Sequence, residues 1–338
     1  RIIFIDGNEQ DVISSSDELT MNLLASFNNG TAGVNSAEIV AYCSLSQRLF
    51  IANSIGAKMD IVDFSNPSAP SLITSISMAP YGNINSIAIH EGIVACAIEN
   101  STNPQSNGKI VFFDYAGNYV NEVAAGAMPD MITFSKDYSK VLTANEGEPN
   151  STYSLDPEGS VSIIDISSGI PTLSQANVIT LPLTAYNGQE TALRAQGIRI
   201  FSSSASVAQD LEPEYIAISS DNSKAYVTLQ ENNALLTINL TNNTIQSLTP
   251  LGYSNYGAGS NNALDASDQS GMVLITGDLP IKGVYMPDAI TQVTIAGQSY
   301  LLTANEGDSR EFGTVIDANR ISSTVFNTLD ATAFPDQA

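Results

Sequence analysis

One phrase of four short strands recurs along this chain, and that repeat constrains the fold more tightly than any other feature. Its clearest copy is Glu214–Thr249: EYIAIS, a SDNS turn, KAYVTLQEN, then NALLTINL, a TNNT turn and IQSLT. Further copies begin at Glu38 (EIVAYC, RLFIANS, MDIVDF, SLITSI), Asn85 (SIAIH, GIVACAIEN, GKIVFFDY, YVNEVA), Asp130 (MITFS, KVLTANEGE, GSVSIIDI) and Asp288 (AITQVTI, SYLLTANEGD). Runs of Val, Ile, Tyr and Thr alternate with Gly, Asn, Asp and Ser, and helical periodicity is almost absent.

The reading is an all-β chain built as a β-propeller of four-stranded antiparallel blades. About five blades are visible, the last incomplete, at intervals of about 45 residues. A β-sandwich does not predict a recurring four-strand phrase. Residues 1–338 are read as one propeller domain that is incomplete on its C-terminal side. Two stretches break the rhythm, about 182–212 and about 252–284, and both are expected to be long loops decorating one face. Within the first, Ala192–Phe201 can make a short helix.

The chain carries 12 Lys and Arg against 35 Asp and Glu, a formal charge of -23. Such acidity repels nucleic acid and anionic membrane surfaces, and suits a protein that collects cations or stays soluble outside cells. Apolar content of 43% and a mean hydropathy of +0.03 place it among folded globular chains. The longest apolar stretches, such as Ile110–Tyr115, fall far short of the roughly 20 residues that cross a bilayer, so no direct membrane insertion is expected. No leader segment is evident after Arg1; export is an expectation, not a reading of a signal.

The position of the acids within each repeat is the most informative feature for function. An acid or small polar residue precedes each first strand: Glu38, Asn85, Asp130, Glu214 and Asp288. A second polar group ends each second strand: Asn53–Ser54, Glu99–Asn100, Asn145–Glu146, Gln230–Glu231–Asn232 and Asn305–Glu306. Asp130 to Glu146, Glu214 to Glu231 and Asp288 to Glu306 are 16, 17 and 18 residues apart, about one hairpin. Antiparallel strands bring those ends to one edge of the sheet, which in a propeller encircles the channel mouth.

Carboxylates crowded there repel one another, and a divalent cation is the natural counter-charge. Calcium accepts six to eight oxygens. The candidate ligands are Glu146, Glu148, Asp156, Glu158, Glu214, Glu231, Glu306 and Asp308, with Asn145, Asn305, Glu99, Asp130 and Asp288 as further ligand-binding candidates. Zinc and copper fit poorly, because His90 is the only histidine and is read as structural. A second reading stands beside this one: acids at strand starts bond neighbouring backbone, and Asn-Glu-Gly is only a turn.

Arg310 either pairs with the carboxylates or offers a fork to an anionic ligand, and Arg194 and Arg199 permit the same two readings. Cys43 and Cys96 are read as unpaired core thiols. Sequons at Asn29, Asn100, Asn150, Asn239 and Asn242 matter only in a glycosylating host. A single imidazole leaves no Ser-His-Asp or Cys-His set to propose.

Across AEIVAYCSLSQRLFIAN, MPDMITFSKDYSKVLTANEGEPN, DPEGSVSIIDIS, ASVAQDLEPEYIAIS, VTLQENNALL and TANEGDSREFG, from about Ser36 to Ala333, the sequence resembles the choice-of-anchor I family. That family includes mesenchyme-specific cell-surface glycoproteins linked to biomineralisation. The resemblance implies an exported propeller akin to the YVTN-type surface-layer repeats, carried at the cell surface by a C-terminal anchor. It also implies a full ring of seven blades, completed here by a further segment or another chain. Its Asn-Glu-Gly-acid motifs map to Asn145–Glu148 and Asn305–Asp308, and its Glu-Pro-Glu motif to Glu212–Glu214. Some relatives carry alkaline-phosphatase-like labels, yet the metal-ligand histidines of that enzyme are missing here.

The function expected is therefore a secreted or cell-surface module that binds calcium and, through its acidic face, a matrix, mineral or cell-surface ligand. The alternative is a calcium-dependent phosphoesterase in which Glu146 or Glu306 activates water.

Overall fold

The computed structural model describes residues 22–28, 37, 39–201, 204–267, 270–312 and 315–320. Four antiparallel sheets follow one another in chain order, each of four strands laid side by side in sequence. The first comprises Val40–Cys43, Arg48–Asn53, Lys58–Asp63 and Ser71–Ser77. The second comprises Asn83–His90, Ile93–Glu99, Asn107–Asp114 and Tyr119–Ala127. The third comprises Pro129–Phe134, Lys140–Asn145, Ser160–Asp165 and Val178–Pro182. The fourth comprises Ile216–Ile218, Lys224–Leu229, Ala234–Asn239 and Thr244–Pro250. A hairpin, Pro287–Ile295 with Gln298–Asn305, begins a fifth unit. The first strand of each sheet packs against the first strand of the next, the arrangement of propeller blades around an axis. Glu38 and Asn29 lie outside the described residues.

The period of two along a strand explains how the sheets stack. In Ile93–Glu99, Val94, Cys96 and Ile98 join Phe50, Met59 and Ile61 of the first sheet in one core layer. The intervening Ala95 and Ala97 join Phe112, Ile132 and Phe134 in the next. A strand with both faces covered reads as a continuous apolar run, whereas the outer strand Ser71–Ser77 is mostly exposed. Each fully buried Phe or Ile contributes about 1.5–3 kcal/mol, so these layers hold the blades together. Cys43 and Cys96 are free and buried in the first layer, and burial pushes the Cys96 thiol far up.

The third layer, between the third and fourth sheets, draws in the 182–212 segment. Leu193 from a short helix, Glu190–Gln196, and Val207 and Ala208 from a second, Val207–Asp210, are buried there with Leu142, Val161 and Leu236. The expected helix over Ala192–Phe201 is thus present but shifted toward Glu190. Gly159 brings this segment against the third sheet, since a Cβ at that position would stand 2.0 Å from the Leu211 carbonyl oxygen and 2.7 Å from Pro213 Cδ. Only the bare backbone of glycine fits, and the close approach sets where Glu214 emerges.

The 252–284 segment forms two small ribbons, Tyr253–Asn255 with Lys282–Val284 and Ala263–Leu264 with Thr276–Gly277. Asn233 ties off both ends: its Oδ1 accepts from the Tyr285 and Met286 amides at 3.0 and 3.1 Å, and its Nδ2 donates to the Gly252 carbonyl at 2.8 Å.

Candidate metal centre

Hairpin register delivers the acids to one rim. Asn83 pairs with Glu99, Pro129 with Asn145 and Pro287 with Asn305, so the start of each first strand faces the end of the second. Asp130 follows Pro129, Glu146 follows Asn145, and the Glu146 amide donates to the Met128 carbonyl at 3.0 Å. Glu214 enters from the fourth sheet, where its amide donates to the Thr228 carbonyl at 2.9 Å.

These three meet. One carboxylate oxygen from each of Asp130, Glu146 and Glu214 lies within 4.8 Å of the others. Oxygens bound to one calcium at about 2.3–2.6 Å stand at most about 5 Å apart, so the span is one that calcium can bridge. All donors are hard oxygens, which suits calcium rather than zinc or copper.

The surrounding negative charge is only partly offset, by Arg310 and Arg199. Burial, then Glu214 and Asp130, hold the Glu146 carboxyl well above its usual range. Glu214 is pushed up to about 10 by burial, then by Glu231, Asp130 and Asp288. Glu148 rises to about 7 through burial, Glu231 and Asp130, with Arg310 opposing. Glu231 itself is raised by burial against the pull of Arg310. It is 8% exposed, and its Oε2 is buried with no hydrogen-bond partner. A buried carboxylate oxygen left without a donor costs several kcal/mol by order of magnitude unless something positive meets it. Glu231 is the foremost charged neighbour of both Glu148 and Glu214.

Other candidates fall around it. Asp288 is half-buried and raised by burial and Glu306. Glu99 accepts from Asn83 Nδ2 at 3.0 Å and acts on Glu148 from the second sheet. Asn145 is buried; its Nδ2 donates to Ser160 and Ser162 hydroxyls, and its Oδ1 has no donor. Asp156, pushed up to about 6 by burial, lies toward Arg310 and Asp210 and keeps a buried, unpartnered Oδ1. Glu158, Asn305, Glu306 and Asp308 are exposed, with Asn305 Oδ1 accepting from Thr303 at 3.0 Å.

Arg310 is 3% exposed and spends its fork internally. Its Nη1 donates to Asp210 Oδ1 at 2.9 Å, Nη2 to the Asp210 carbonyl at 2.6 Å, and Nε to Glu212 Oε2 at 3.1 Å. Burial opposes its charge, but Glu212, Asp210 and Glu231 outweigh that and raise its affinity for the proton. Asn232 joins the same network, donating to Asp210 and accepting from the Glu212 amide. Asp210 was not singled out in the sequence, and Glu212 and Asn232 were named there without this role; three acids within Gln209–Glu214 were the available signal. Arg199 pairs with Asp317 and donates to the Glu231 carbonyl at 2.7 Å, while Arg194 Nε donates to the carbonyl of Ile200, beyond the end of its helix, at 2.9 Å. His90 stacks on Tyr138 at the opposite end of its strand, away from the acids.

Among solved structures, Kuenenia stuttgartiensis hydrazine synthase is similar at 10% identity and a TM-score of 0.46, over 78% of this chain and 70% of that one. A nidogen/laminin complex is similar at 9% and 0.41, over 78% and 70%. The Cps50 (Swd1) β-propeller domain of Myceliophteria thermophila is similar at 7% and 0.41, over 77% and 67%. Among curated proteins none matches the chain. The choice-of-anchor I domain matches residues 38–338, which takes in every complete sheet, the fifth hairpin and all the rim carboxylates. The chain belongs to the choice-of-anchor I family.

Proposed function

We propose that this chain is a calcium-binding module of the cell surface or extracellular space, acting as a structural or ligand-binding element. The observation that supports it best is the convergence of Asp130, Glu146 and Glu214 beside the orphaned Glu231 oxygen. Asp130 and Glu146 belong to the third sheet and Glu214 to the fourth, so a cation held by all three would staple two blades. Ligand present at about 100 times its Kd adds about 2.7 kcal/mol to stability.

Extracellular calcium would keep such a site filled, and the acidic surface fits the same setting. Among the described residues no helix is long and apolar enough to cross a membrane. The phosphoesterase alternative needs a cation facing the phosphate, and the guanidinium of Arg310 is already engaged by Asp210 and Glu212.

Calorimetric titration of the full chain with calcium tests the reading, with phosphomonoester hydrolysis followed on the same sample with and without chelator. Saturable binding without turnover supports the module. Turnover that a chelator abolishes selects the phosphoesterase, and no calcium binding at all removes both.

A further inference from the structure

A polar cleft of about 340 Å³ opens at the Glu99 end of the second sheet. The Ala79–Tyr81 connection, the end of Ile93–Glu99 with the turn that follows, and the start of Asn107–Asp114 form its walls. Gly82 allows that geometry. Its φ is 141°, and a Cβ there would stand 2.2 Å from the Glu99 carbonyl oxygen, so only glycine lets the connection lie against the strand end. The turn after the strand is tied by Asn100, whose Oδ1 accepts from the Thr102 and Asn103 amides at 3.0 and 3.1 Å.

One charge in this cleft is left over. Glu99 Oε1 accepts from Asn83 Nδ2 at 3.0 Å, a neutral donor, and among the described residues Oε2 meets neither a hydrogen-bond donor nor a cation. Lys109 lines the same cleft, but its Nζ lies 3.0 Å from Glu122 Oε1. The charges of Lys109 and Glu122 cancel, and that of Glu99 remains.

The surroundings of that oxygen select the ligand. The walls offer almost no apolar surface, so binding must rest on charge and hydrogen bonds rather than on covering a hydrocarbon body. A single carboxylate is too little for calcium, which gathers six to eight oxygens. A guanidinium seeks both oxygens of a carboxylate at once, and Oε1 is already held by Asn83. An ammonium is a compact charge with three N–H donors. Glu99 Oε2 can accept one of them, and Thr102 and Asn107, exposed residues of the same cleft, carry a hydroxyl and an amide oxygen for the others. We propose that this cleft binds a primary ammonium group, borne by a lysine side chain of a partner or by a free diamine. The formal charge of -23 draws such cations toward the protein. Neither the site nor its test involves calcium, so the two readings stand or fall separately.

The test is titration of the full chain, in chelator and about 0.15 M salt, with Nα-acetyl-lysine amide and with putrescine, followed by ligand-observed NMR. Three comparison compounds separate the contributions: the Nε-acetylated lysine amide lacks the charge, Nα-acetyl-arginine amide spreads it over a fork, and tetramethylammonium carries it without an N–H. The expected result is saturable millimolar binding of a primary ammonium, weakened about tenfold or more by Glu99→Gln and about threefold by Asn107→Ala. Tighter binding of the lysine amide identifies a side chain as the source, and tighter binding of putrescine a free amine. Asn107 is exposed, so Asn107→Ala decides the matter if Glu99→Gln fails to fold. The proposal is overturned if neither amine saturates up to about 50 mM, if the deciding variant leaves binding unchanged, or if any comparison compound binds as tightly as both amines.

Discussion

Glu146 and Glu214, borne by neighbouring sheets, bring carboxylate oxygens within 4.8 Å of each other and of Asp130. Their separation in sequence is 68 residues, and the packing of one blade on the next supplies the encounter. Burial and the surrounding carboxylates push Glu214 up to about 10 and hold Glu146 well above its usual range, which favours a shared proton over a double charge in the metal-free pair near neutral pH. Glu214→Gln replaces a neutral carboxyl by a neutral amide of the same shape. Metal-free stability at pH 7 should change by less than about 1 kcal/mol, while calcium affinity drops about tenfold or more. Thermal melts with and without calcium measure both effects.

Acidity should stabilise the metal-free protein. Folding raises Glu148 from 4.5 to about 7 and Asp156 from 3.8 to about 6. The folded state therefore binds protons more tightly than the unfolded chain, and this contribution is complete below the unfolded values. It is lost as pH climbs through about 6 and about 7. Tm in chelator should fall between pH 4.5 and 7.5, and the rise in Tm on adding calcium should grow over the same interval. A flat profile in chelator would contradict the burial of these groups.

Arg310→Met removes the partner of two buried carboxylates at once. Breaking a buried ion pair on one side costs about 3–5 kcal/mol, and Asp210 and Glu212 are both almost fully buried. Urea unfolding should show a loss of that order. Arg310→Lys should recover only part of it, because an ammonium cannot reproduce the contacts to Asp210 and Glu212 together.

Gly159→Ala forces a methyl group onto the Leu211 carbonyl, and a shift of the Leu211–Glu214 segment must follow. We expect a destabilisation of about 1–3 kcal/mol together with weaker calcium binding, since Glu214 moves with that segment. Calorimetry and urea unfolding on one sample separate the two.

Much of this was legible in sequence because it is local. Strand alternation and turn residues announce a hairpin without knowledge of its neighbours, and an antiparallel hairpin puts Pro129 opposite Asn145 whatever surrounds it. Hence the rim of acids could be placed, including Asp130, Glu146, Glu214 and Glu231. The Arg310 network could not. Its partners lie 98 and 100 residues away in an insertion that obeys no repeat, so no spacing rule links them.

The alternation along Ile93–Glu99 also bears on how such a chain can change. Because successive side chains of one strand serve opposite cores, no seam exists along which a sheet can be lifted out and leave its neighbours whole. A cut or an extra residue inside a strand exchanges the two sides and disturbs three sheets together. Elaboration is therefore channelled into the connections between strands. The 182–212 and 252–284 segments occupy such connections, where length can vary while an inner strand such as Ile93–Glu99 keeps its two audiences.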